Sequence, residues 1–314
     1  MVERPPPFRQ PLQVIVGVPA FQSLISSSRG TALVLLELGG TALFAAGVAE
    51  RTIGQAAPLF LLAALLIGWT LRSADLESSA LFIPGGLYGT AMQAYGRTTG
   101  RLAASTLLVE SLVFGALVAS AAGHSLAALA GFIPRAFGSS QITVDDVSTT
   151  AAVCLIGAVW WWLRQGRPLS NSLVTRTVGY TVAALAILVT WGLIGSVPRH
   201  DPSRWVASLG TAPFSIGWAL TAAGLCLFAA GTPEALGRAS LDFAQPKIQH
   251  LRRVARFVNV YSLLMVVAVS TLFIWLVPSE SRGAWRDAPV AALVLFGNGA
   301  PWIRLLVVGG TLLG

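Results

Sequence analysis

The sequence predicts an all-α integral membrane protein of about eight transmembrane helices, and three observations carry that class. The chain of 314 residues is 54% hydrophobic and 11% charged, against roughly 25% charged residues in an average soluble domain. Its mean hydropathy is +0.71. The apolar residues gather in runs close to the about 20 residues that a helix needs to cross a bilayer. The runs lie near 31–49, 55–80, 102–123, 148–163, 177–197, 213–231, 257–277 and 288–311. Basic residues concentrate in alternate gaps between them, as the positive-inside bias requires.

The formal charge of +8 comes almost wholly from arginine, because Lys247 is the only lysine. A pI of about 10.7 would suit a nucleic-acid binder. Here, however, the charge is distributed between apolar spans and forms no single soluble face, so nucleic acid is excluded as a partner. With the N-terminus in the cytoplasm, Arg97, Arg101, Arg164, Arg167, Arg176, Lys247, Arg252, Arg253 and Arg256 are all internal. The outer loops then hold Arg51, Arg135, Arg199, Arg204, Arg282 and Arg286, balanced by Glu50, Asp145, Asp146, Asp201, Glu280 and Asp287. The expected location is the plasma (inner) membrane, multi-pass. Residues 1–30 read as a cytoplasmic tail, since they lack the ordered basic, apolar and small-residue regions of a signal peptide. Cys154 and Cys226 sit in apolar runs without metal-ligand spacing and are expected to be buried small hydrophobes.

The first span holds Glu37, Gly39, Gly40 and Thr41 near its middle. Paired glycines let backbones approach closely. They also suit an unwound hinge that exposes backbone groups to a ligand, with Glu37 as a proton or cation group. The second span ends in Asp75 and Glu77, which can pair with Arg72 or lie near the cytoplasmic surface in a gating or structural role, as can Tyr88 just beyond. In the third span Glu110 stands among Leu107, Leu108, Val109, Leu112 and Val113. An ionised carboxylate there must be neutralised, partnered across the bundle or hydrated.

Trp160, Trp161 and Trp162 beside Arg164 read as an interfacial aromatic belt with a basic edge. His124, His200 and His250 fall in loops or at span ends, and none is assigned a catalytic or metal role. The sixth span carries Gly231, Thr232, Pro233 and Glu234 at a depth where Gly and Pro break the hydrogen-bond ladder. Freed backbone groups are tolerated in a bilayer only where they are buried in protein or line a water-filled cavity. Glu234 is there a candidate coupling group, or alternatively a cap for a helix end.

Several of these motifs resemble the amino acid-polyamine-organocation superfamily of permeases. Asp75-Leu76-Glu77-Ser78-Ser79 followed by Pro84-Gly85-Gly86-Leu87-Tyr88 and Tyr95-Gly96 is similar to the end of that superfamily's second helix, although no residue separates Pro84 from Gly85. Gly231-Thr232-Pro233-Glu234-Ala235 with Pro246-Lys247 resembles its broken sixth helix. Glu37-Leu38-Gly39-Gly40-Thr41 and Val109-Glu110-Ser111 look like helices one and three of its potassium-uptake branch. The resemblance runs from about residue 31 to 277. It implies two inverted five-helix repeats with substrate held at the breaks of helices one and six. In that frame a transmembrane transporter domain covers 31–314, with a first repeat near 31–197 and an incomplete second repeat near 213–314. Two such repeats need about ten spans, so the chain is expected to be C-terminally truncated, a fragment of a longer protein.

The expected function is therefore secondary active transport of an amino acid or related organic cation by alternating access, proton-coupled. Gly39, Gly40, Thr41, Gly231, Thr232 and Pro233 would bind substrate, and Glu37, Glu110 and Glu234 would couple an ion or proton. Proton-coupled potassium uptake is the second reading within transport, and a truncated, non-transporting scaffold is the reading outside it. No nucleophile–base cluster, metal spacing or phosphate loop points to an enzyme. No metal or cofactor is expected. The partners are a small amino acid or monovalent cation, protons and lipid, with a homo-oligomer left open.

Overall fold

Backbone groups in hydrocarbon find no water, so apolar runs of this kind close their hydrogen bonds within helices. The computed structural model describes residues 27–81, 86–131, 144–166, 171–196, 215–229, 247–297 and 309. These are almost entirely helical, with no strand among the described residues. The helices are α1 (Ser27–Gly39), α2 (Thr41–Ile53), α3 (Ala57–Leu81), α4 (Gly86–Tyr95), α5 (Arg97–Gly131), α6 (Val144–Arg164) and α7 (Asn171–Ser196). They continue with α8 (Ile216–Ala229), α9 (Lys247–Leu276), the single turn α10 (Ser279–Arg282) and α11 (Pro289–Phe296).

Among the described residues, five segments are long and apolar enough to cross a membrane: Gly30–Ala74, Arg97–Ala127, Val147–Arg164, Ser172–Ile194 and Ile248–Leu276. The first contains two of the expected spans, separated at Gly54, at φ +66, and a short 3-10 turn between α2 and α3. The sixth expected span is a shorter apolar helix over Ile216–Leu227. The eighth is described only through α11 and Gly309. Together these apolar helices suggest a multi-pass membrane protein.

α9 is the central element, packing against α1, α2, α3, α7 and α11. Its Leu251, Val254, Val258, Val266, Val269, Leu272 and Phe273 are buried. The spacing keeps apolar residues on more than one face, which a helix needs when it has neighbours on several sides. α5 and α6 form a peripheral hairpin whose Leu102, Leu108, Leu112, Val153 and Ile156 are exposed. At 35 residues α5 is about 52 Å long at 1.5 Å per residue, longer than the expected span because no proline interrupts it. Cys154 departs from expectation. It is exposed, because among the described helices α6 packs chiefly on α5, whereas Cys226 is buried as expected.

Candidate functional site

The first apolar span is interrupted where the sequence places its paired glycines. α1 ends at Gly39, and Gly40 precedes α2 with φ −58 and ψ −28, still in the right-handed helical region. The Leu43 amide donates to the Gly40 carbonyl at 3.0 Å. This tight closure diverts the amide that an uninterrupted helix would direct to Gly39. The break is thus one residue long, shorter than the unwound hinge the sequence suggested. Gly40 also faces α5. A Cβ there would lie 3.2 Å from Val118 Cγ2 and 3.4 Å from Phe114 Cζ. The Phe114 ring stacks edge-on against Phe44 at 5.7 Å, which seals α5 to α2 just beyond the interruption.

A cavity opens beside the interruption, walled by Leu35, Leu36, Gly40, Leu43, Val178, Thr181, Val182 and Tyr261. Its volume is about 20 Å³, room for about one water molecule. Thr181 comes from α7 and Tyr261 from α9, and both are buried. The Thr181 hydroxyl donates to the Thr177 carbonyl at 3.0 Å. Thr41, the first residue of α2, is fully buried.

Two of the three expected coupling carboxylates, Glu37 and Glu110, fall on helices that meet at the interruption. Glu37 is in the last turn of α1, and its side chain lies outside the described residues. Glu110 is half-buried, engaged within the chain, and one turn before Phe114 on the α5 face that includes Phe114, Leu117 and Val118. Gly231, Thr232, Pro233 and Glu234 lie outside the described residues. Asp75 is in α3, again without a described side chain, and Glu77 on the same helix is exposed. Tyr88 is exposed on α4, where its hydroxyl donates to Met92 Sδ at 3.2 Å. Glu77 and Tyr88 are therefore peripheral to the cavity.

Two polar arrangements went unassigned in the sequence. Arg72 of α3 is 2% exposed, and its Nη1 donates to Asn259 Oδ1 of α9. A buried arginine in an apolar span is expensive and needs named partners. Its place in the apolar run around Leu71 was the available signal, but the sequence offered the nearby Asp75 and Glu77 as partners, and Asn259 is 187 positions away.

The second arrangement clasps the helix ends expected outside. Arg286 Nε donates to Glu50 Oε2 at 2.8 Å. Arg282 donates to the Ile274 and Val277 carbonyls at 2.6 and 2.9 Å, capping α9. Burial lowers the Arg282 pKa, and the nearby Glu50 carboxylate opposes that shift. Trp218 Nε1 of α8 donates to the Thr52 carbonyl at 3.1 Å and stacks edge-on against Phe60. Residues expected on one side of the membrane thus meet at one end of the bundle.

One histidine supplies a packing contact. His124 is buried and joins α5 to α6 through its Nδ1 contact with the Ser120 carbonyl and Nε2 contact with Ser148 Oγ. Among the described residues no group of three His, Cys, Asp or Glu side chains could hold a metal. No protein-family model matches the sequence, and no curated protein matches it.

Proposed function

We propose that the protein is a secondary active transporter that moves an amino acid or related organic cation across the plasma (inner) membrane by alternating access, coupled to protons. The observation carrying this reading is the interruption at Gly40 beside a small cavity with the hydroxyl-bearing residues Thr181 and Tyr261 on two neighbouring helices. Interrupted helices present backbone dipoles to a ligand at a depth where water is scarce. In this reading Gly39, Gly40 and Thr41, with Gly231, Thr232 and Pro233, contact substrate. Glu37, Glu110 and Glu234 carry the coupling proton or ion.

Helix adjacency supports a site shared by the first and sixth spans. The first span meets the sixth (α2 with α8), and the second meets the seventh (α3 with α9). The cross pairs, α2 with α9 and α3 with α8, also touch. The first and sixth spans are thus neighbours, as a site shared between them requires. The clasp through Glu50 and Arg286 holds one end of the bundle together, so a state open at that end requires it to part.

The cavity volume favours a second reading, proton-coupled potassium uptake. About 20 Å³ admits a dehydrated monovalent cation, whereas an amino acid requires α1 to move away from α7 and α9. Carboxylates and hydroxyls are suitable hard oxygen ligands for such an ion. Uptake of radiolabelled amino acids and of potassium by proteoliposomes at varied pH tests both readings, and transport of neither overturns the proposal. Growth rescue of a potassium-uptake-deficient strain, lost in Glu37→Gln or Glu110→Gln, selects the second.

A further inference from the structure

We infer that the end of α6 around Arg164 binds the phosphate of an anionic phospholipid, with an acyl chain lying along one exposed stripe of the same helix. The inference rests on the membrane character of the chain and is independent of transport. An open groove of about 360 Å³ is lined there by Trp161, Arg164 and Gln165. Arg164 is exposed and sits over the Trp160 ring at 5.4 Å from its centroid. That contact orients the guanidinium without neutralising it. No carboxylate pairs with Arg164 among the described residues.

The helix leading to this groove fits the rest of a lipid. Val153, Ile156, Trp160 and Arg164 recur at helical spacing, so they share one face, and the three apolar residues are 64%, 53% and 57% exposed. An acyl chain covers that stripe and brings its headgroup to the guanidinium. Indole rings favour the same depth, at the level of the headgroups. A guanidinium binds phosphate through two parallel hydrogen bonds, so Arg suits this position better than Lys. Arg164 belongs to the edge expected to be cytoplasmic, where anionic lipids concentrate.

Native mass spectrometry of the full protein in detergent tests the site, using phosphatidylglycerol and phosphatidylcholine of matched chains and, separately, inorganic phosphate. Wild-type protein is expected to bind its tightest phosphatidylglycerol roughly fivefold more strongly than phosphatidylcholine, the effect of about one surface charge. Arg164→Gln is expected to remove that preference. Gln165→Glu keeps Arg164 and adds a negative charge to an exposed position, so it is expected to weaken phosphatidylglycerol binding even if Arg164→Gln fails to fold. Equal affinity for the two lipids, or an unchanged preference in a folded variant of either kind, overturns the proposal. Displacement of the lipid by millimolar inorganic phosphate overturns the lipid assignment.

Discussion

A Cβ placed on Gly47 would stand 1.7 Å from the carbonyl oxygen of Arg286, so α2 meets the segment before α11 backbone against backbone. Only glycine permits that approach. The same segment brings Arg286 to Glu50, one turn further along α2.

Gly47→Ala is accordingly expected to lower stability by about 3 kcal/mol or more, because the obstacle is main chain and cannot rotate away. Gly224→Ala on α8, where a Cβ meets nothing within 4 Å, is expected to be neutral or to add about 0.5–1 kcal/mol. Thermal unfolding of the two variants in the same detergent checks the contrast. Equal effects would contradict the close approach.

Removing either partner of the Glu50–Arg286 pair is expected to destabilise the protein. Glu50 is the more buried of the two, at 9% side-chain exposure against 37% for Arg286. A double-mutant cycle with Glu50→Gln and Arg286→Gln should return a coupling of about 1 kcal/mol, at the upper end for partly exposed pairs. A coupling near zero in low salt would remove the clasp from consideration.

Gly40→Ala tests how the interruption is used. The added methyl would press on Val118 Cγ2 at 3.2 Å and on Phe114 Cζ at 3.4 Å. Both are side-chain ends that can give, so a modest loss of about 1 kcal/mol is expected. Adding Val118→Ala should recover much of it if Gly40 serves packing against α5. Restored stability without restored uptake would instead assign Gly40 to the ligand.

Helices long and apolar enough to cross a bilayer were legible in the sequence because apolar runs of that length have few other uses. The interruption at Gly40 was legible for a related reason: paired glycines beside Glu37 do not belong in a plain span. What escaped was whatever depends on which helices become neighbours. Arg72 with Asn259, Trp218 with Thr52, and Gly47 with Arg286 join positions far apart in the chain. Local periodicity has no access to such pairs. Cys154 was misjudged similarly, because an apolar residue in a span is buried only if another helix covers it, and α6 has one main neighbour.

The Arg72–Asn259 contact leads to an asymmetric expectation. Asn259→Leu removes an acceptor while leaving the guanidinium buried, at a cost of about 2–3 kcal/mol. Arg72→Met together with Asn259→Leu replaces both polar groups by apolar ones and should cost less than Asn259→Leu alone. Chemical or thermal unfolding of the three proteins reads the order directly.

The central claim is tested most directly by uptake into proteoliposomes under an imposed proton gradient, with labelled amino acids and a potassium tracer supplied in parallel. The expected result is gradient-dependent uptake of one class, reduced at least about tenfold by Glu110→Gln in a variant that unfolds at the wild-type temperature. That loss corresponds to about 1.4 kcal/mol in the transport step. Uptake no greater than in protein-free liposomes for every substrate would contradict the transporter reading, and uptake unaffected by Glu110→Gln would contradict the role given to that carboxylate.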